Sequence, residues 1–156
     1  MWFADDNTLY VTQQGDDLAF TDPKKQKAGG LQKWTRQSDG SWKLAYTVVT
    51  GLDLGTPYTV PGYPTGNNPA TGKPWAPATD GLRALTGRHN PDGSVTLYAV
   101  TSTISGSGDL GADPNKLVAL TDQPAATSST VGEAFTDLRN AQAGEVLRGV
   151  SLTPTK

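Results

Sequence analysis

Three sets of side chains in this sequence have the chemistry for a site. Asp109, Asp113 and Asn115 stand in a glycine-rich run from Ser105 to Asn115. Hard oxygen donors on flexible backbone suit Ca2+, which takes about six to eight oxygens and accepts main-chain carbonyls among them. The run lacks the spacing and closing Glu of an EF-hand loop, and side-chain hydrogen bonds within Gly/Asp turns account for the same residue types. Tyr58, Tyr63 and Trp75 offer rings for stacking on a sugar or a peptide, or apolar area for anchoring their own loop. Arg83 and Arg148 stand in matching phrases, Gly81-Leu-Arg-Ala-Leu-Thr86 and Val146-Leu-Arg-Gly-Val-Ser151. Side by side near an axis they would hold an anion; between sheets they would clamp carboxylates or carbonyls.

Catalytic constellations are sparser. His89 is the single histidine and stands in a turn signal, His89-Asn-Pro-Asp-Gly93, so a Ser-His-Asp relay has one base to draw on, in turn context. Asp80 or Asp109, with Asp53 and Asp113, would supply carboxylates for glycoside hydrolysis. Asp-Gly and Asp-Pro are equally turn chemistry. With no cysteine in the chain, thiolate nucleophiles, disulfides and Cys-ligated zinc are ruled out.

The elements that position these residues read as strands. Eighteen glycines, eleven prolines and 18 % charged residues suit a turn-rich all-β chain. β-branched and aromatic runs bounded by turn residues mark strands at 8–13, 30–36, 41–49, 82–88, 94–102, 116–121, 135–141 and 145–152. Asp39-Gly40 and Asp92-Gly93 mark tight turns. The connection from Gly51 to Thr79 is long, yet its tyrosines, prolines and Trp75 predict an ordered, packed loop. The net charge of −2, with both signs interspersed, argues against a nucleic-acid partner, and Lys24-Lys25-Gln26-Lys27 reads as a solvated loop. No apolar run reaches membrane-spanning length. Met1–Asp6 lacks the basic and apolar regions of a secretory leader, and Asn-x-Ser/Thr is absent from the sequence.

The strand phrases recur. Thr8-Leu-Tyr-Val11 returns as Thr96-Leu-Tyr-Ala99, and Gly30-Leu-Gln-Lys-Trp-Thr35 returns loosely as Lys116-Leu-Val-Ala-Leu-Thr121. Together with the Arg83 and Arg148 phrases they predict two four-stranded antiparallel β-propeller blades within one unit, 1–156. Blade one would span 1–50 and be completed by a C-terminal strand in 145–156. The long loop would be 51–79 and blade two 80–142. Alternate loops of an up-and-down blade fall on opposite faces, which puts 51–79 beside 15–29 and 103–115, the face expected to bind.

Asn7-Thr-Leu-Tyr-Val11, Gly30-Leu-Gln-Lys-Trp34, Tyr63-Pro-Thr-Gly66, Ala78-Thr-Asp-Gly-Leu-Arg83, Ser105-Gly-Ser-Gly-Asp109 and Glu145-Val-Leu-Arg-Gly-Val150 carry a resemblance. The chain resembles the C-terminal portion of a group of longer, mostly uncharacterised, secreted β-propeller proteins. The resemblance implies the propeller fold and an extracellular setting, and no catalytic residues. Two blades leave their flanks bare, whereas propellers close with about four or more. The expectation is a binding or structural module in a homo-oligomer, a trimer or tetramer of two-blade units, or one joined to a separate chain that supplies further blades. A carbohydrate or small molecule is the expected ligand. The other class is a propeller hydrolase or lyase acting on a polysaccharide or lactone.

Overall fold

A computed structural model describes residues 1–16, 29–108 and 112–154. Among these residues the regular structure is all β, in two four-stranded antiparallel meanders. The first holds β1 (Trp2–Asp5), β2 (Thr8–Gln13), β3 (Gly30–Arg36) and β4 (Trp42–Val48) in that order. The second holds β5 (Ala78–His89), β6 (Val95–Ile104), β7 (Lys116–Asp122) and β8 (Thr136–Asn140).

The two Asp-Gly turns are built alike. Asp39 Oδ1 accepts from the Ser41 amide and hydroxyl, and Asp92 Oδ1 accepts from the same groups of Ser94. These bonds hold both carboxyls below the ordinary aspartate value. Gly40 and Gly93 supply the left-handed residue at φ 84° and 83°.

Side-chain alternation decides how the sheets meet. Tyr10 pairs with Lys33 and Lys33 with Tyr46, so these three share one face of the first sheet, with Thr8, Leu31 and Val48. That face lies on Leu97, Ala99, Val118 and Leu120 of the second sheet, forming one continuous core. β5 crosses β1, β2 and β3 along this seam. Gly87 is obligatory there, because a Cβ on it would stand 2.8 Å from the Trp2 ring.

Each sheet also has a face turned away from the seam. On the first sheet it carries Phe3, Leu9, Val11, Trp34, Trp42 and Leu44, with Phe3 53 % and Leu44 39 % exposed. On the second it carries Thr86, Thr96, Tyr98, Ala119, Thr121 and Thr136.

One expectation is corrected. The first sheet is completed by β1 and not by a C-terminal strand, since Trp2 pairs with Tyr10 and Phe3 with Leu9. Residues 145–152 form no strand. Asn115 at the start of β7 holds them instead: its amide donates to Leu147 O at 2.9 Å and its oxygen accepts from Leu147 N at 2.7 Å. Trp2 fixes β1 at the inner edge by filling the hollow over Gly87 and packing on Tyr10.

Candidate functional site

The long connection is ordered by its own aromatics, as its composition predicts. Tyr58 OH donates to Pro114 O at 2.7 Å, and Lys116 Nζ lies 4.8 Å from the Tyr58 ring centroid. Tyr63 OH donates to Asp113 Oδ1 at 2.5 Å. Burial and the Asp113 carboxylate push the Tyr63 phenol up to about 12, and burial pushes Tyr58 further. Trp75 is half-buried in a small loop closed by Trp75 N to Gly66 O at 2.9 Å. The Gly106 amide donates to Pro74 O at 2.6 Å, and Asn68 Nδ2 donates to Gly106 O at 2.6 Å. The 51–79 connection is thus laced to Gly106 and to Asp113 and Pro114.

Among the shallow hollows beside Val60, two are bordered by the tyrosines of this connection. One, of about 240 Å3, is lined by Thr59, Tyr63, Pro64 and Ala76. The other, of about 180 Å3, is lined by Tyr58, Pro61, Lys116 and Asn140. Tyr58 and Tyr63 each turn their hydroxyl inward to the protein, so what they offer a ligand is the ring.

Two of the three expected calcium ligands, Asp113 and Asn115, lie among the described residues. Asp109 lies outside the described residues. Asn115 is 2 % exposed and spends both ends of its amide on Leu147, with a further bond to Thr101 O at 3.0 Å. Asp113 keeps ligand chemistry: it is 1 % exposed, and its Oδ2 has no hydrogen-bond partner. Among the described residues, no three His, Cys, Asp or Glu side chains gather as a metal would need.

The other candidates separate. Asp80 is buried on β5 beneath Gly15 and Gly29; a Cβ on Gly15 would stand 2.1 Å from its Oδ2. It seats the base of the 15–29 loop and presents no carboxylate to a substrate. Arg83 is half-buried on β5, its Nε buried without a partner. Arg148 is exposed in the C-terminal segment. The two arginines therefore do not occupy matching places on two inner strands, because the Arg148 segment joins no sheet. His89 stacks on Trp2 at 5.6 Å between ring centroids, as an exposed residue at the end of β5.

One cluster has no counterpart in the sequence reading. Lys33 and Asp122 form an ion pair at 3.0 Å, with both side chains 1 % exposed. Asp122 also accepts from Tyr10 OH and, at 2.7 Å, from Tyr46 OH. Lys33 Nζ donates to Gln123 O at 2.6 Å and Ala126 O at 2.9 Å. Glu133 completes the group; burial raises its carboxyl above the ordinary value, the Thr130 amide pulls it down and Asp122 adds to the rise. With every proton of the ammonium committed, the cluster fastens the 123–135 loop to the first sheet. The signal was parity: Lys33 falls in the Leu31 row and Asp122 in the Val118-Leu120 row, each a charge in an apolar register.

Comparison of the chain with protein-family models, with curated proteins and with solved structures finds no match.

Proposed function

We propose that the chain is a β-propeller module that acts by binding, its two sheets being two blades of a ring completed by further copies. Ligand is taken on the surface made by the 51–79 and 103–115 loops. The observation that carries this reading is the outer face of the first sheet. There Phe3 and Leu44 stand exposed among half-buried Leu9, Val11, Trp34 and Trp42, an apolar patch on the surface. A patch of this kind on a soluble protein marks an interaction site. The positions Leu9 and Trp34 hold on the first sheet are held on the second by Leu97 and Leu120, both in the core. A face that is core in one sheet and bare in the other supports a repeating stack of sheets. Head-to-tail stacking that closes gives a ring, with three copies for six blades or four for eight.

The hollows beside Val60 suit a small molecule or a sugar lying across the Tyr58 and Tyr63 rings. Burial of Asp80 beneath Gly15 and Gly29 weighs against hydrolysis there. Light scattering at micromolar concentration tests the assembly: a mass of three or four chains is expected, and the mass of one chain overturns the reading.

A further inference from the structure

Resting on that reading, we propose that the open face of the second sheet receives the open face of the first sheet of another copy, Thr86 lying against the second copy's Phe3. The seam inside the chain is the template. Strand registers set the equivalences between the sheets. Tyr10 pairs with Lys33 and Tyr98 with Ala119; Lys33 pairs with Tyr46 and Ala119 with Thr136. Trp2 pairs with Tyr10 and Thr86 with Tyr98; Phe3 pairs with Leu9 and Gly87 with Leu97. The face of the first sheet that the seam covers therefore corresponds to the open face of the second. The covered face of the second corresponds to the open face of the first.

The substitutions between equivalent positions compensate in volume. Within the seam, Trp2 fits because its opposite is Gly87. Between copies the large residue changes sides: Thr86 replaces Trp2, and Phe3 replaces Gly87. Likewise Ala119 and Thr136 stand where the seam has Lys33 and Tyr46, leaving room for Trp34, which stands where the seam has Leu120. Close packing between sheets requires such matching.

Charge compensates too. Inside the chain, Asp122 meets Lys33 at 3.0 Å. Thr8 pairs with Thr35 and Thr96 with Thr121, which makes Arg36 the equivalent of Asp122. Arg36 would fall opposite Tyr98 and Ala119, where the lysine is absent and an aromatic ring is offered to the guanidinium. Two open first-sheet faces set against each other would instead oppose Phe3 to Phe3 and Arg36 to Arg36.

The C-terminal segment fits the same arrangement. Gly81 at the start of β5 lies against Gln13 and Gln14 of β2 and the residue after it. The equivalent of Gln13 is Thr101, whose carbonyl is bridged through Asn115 to Leu147. The 145–151 segment thus lies on the second sheet where the start of β5 lies on the first. β1 covers only positions equivalent to the end of β5, from Thr86 onward. A second copy's β1 would follow the segment in line and would not collide with it.

The native chain has no cysteine, so single thiols report contacts cleanly. Phe3→Cys and Thr86→Cys, made separately, are treated, alone and mixed, with a short bis-maleimide, which spans the roughly 10 Å between packed sheets that a disulfide cannot, with light scattering on each. Cross-linked pairs in the mixture, and in neither variant alone, are expected. Pairs from Phe3→Cys alone, or an assembled mass with no pairs in the mixture, overturn this contact while leaving assembly intact. The mass of a single chain in the unmodified protein overturns the reading beneath it. Trp34→Glu and Ala119→Arg, on opposite sides of the contact, are each expected to lower the mass to one chain with the far-ultraviolet circular dichroism unchanged. Retention of the assembled mass by both, each folded, overturns the proposal.

Discussion

Two buried aspartates, Asp122 in the seam and Asp113 under the long loop, are treated differently. Asp122 accepts from an ammonium and two phenols supplied by β2, β3 and β4. Asp113 accepts from one phenol and leaves an oxygen without a partner. Burying a carboxylate costs several kcal/mol unless hydrogen bonds and a counter-charge offset it. The seam meets that demand with redundancy, and the loop surface meets it in part. The joint between the sheets is over-determined, and the loop surface keeps a carboxylate oxygen unspent.

The largest test of the comparison is Lys33→Met. It leaves Asp122 buried without its counter-charge, and a loss of about 3–5 kcal/mol in urea-unfolding free energy is expected. The double variant Lys33→Met/Asp122→Leu should recover most of that loss, since no charge is then stranded. Next is Asn115→Ala, which removes the bonds to Leu147 and Thr101. Its expected cost is about 1–3 kcal/mol, with faster amide exchange at residue 147. Tyr63→Phe strips Asp113 of its remaining partner and should cost about 1 kcal/mol, below Lys33→Met, because a neutral donor and not a counter-charge is lost. A Tyr63→Phe cost equal to that of Lys33→Met would erase the distinction.

The smallest effect is a pH dependence within the seam. Folding raises the Glu133 carboxyl above its ordinary value of 4.5. The folded state then binds the proton more tightly than the unfolded chain, so this stabilisation is complete below the ordinary value and is lost as pH rises through the folded-state value. Glu133→Gln should therefore unfold at higher urea than the native chain at neutral pH, the gap closing toward pH 4. A gap that widens on acidification would reverse the assignment.

Much of the framework was legible locally. The Asp39-Gly40 and Asp92-Gly93 turns, seven of the eight strands and the packed 51–79 loop follow from turn chemistry and residue type. β1 was missed because four residues ending in Asp5-Asp6-Asn7 look like a lead-in to a turn, and because the Leu147 phrase resembles β5 so well. In the structure that phrase is held against the second sheet, through Asn115. The Lys33–Asp122 pair joins residues 89 positions apart (122 − 33), and no local pattern encodes such a meeting. The Asp-Gly context of Asp80 reads as a turn, whereas it lies inside a twelve-residue strand under two glycines.

Each sheet is a meander, its neighbouring strands also neighbours in sequence. On a ribosome the first sheet can acquire its pairing as soon as residue 48 has emerged. Tyr10 and Lys33 then wait in solvent until Asp122 is synthesised, 74 residues later (122 − 48). Until β5 and β6 follow, the nascent sheet is bare on both sides, and it is the stage at which a holding chaperone would be most needed.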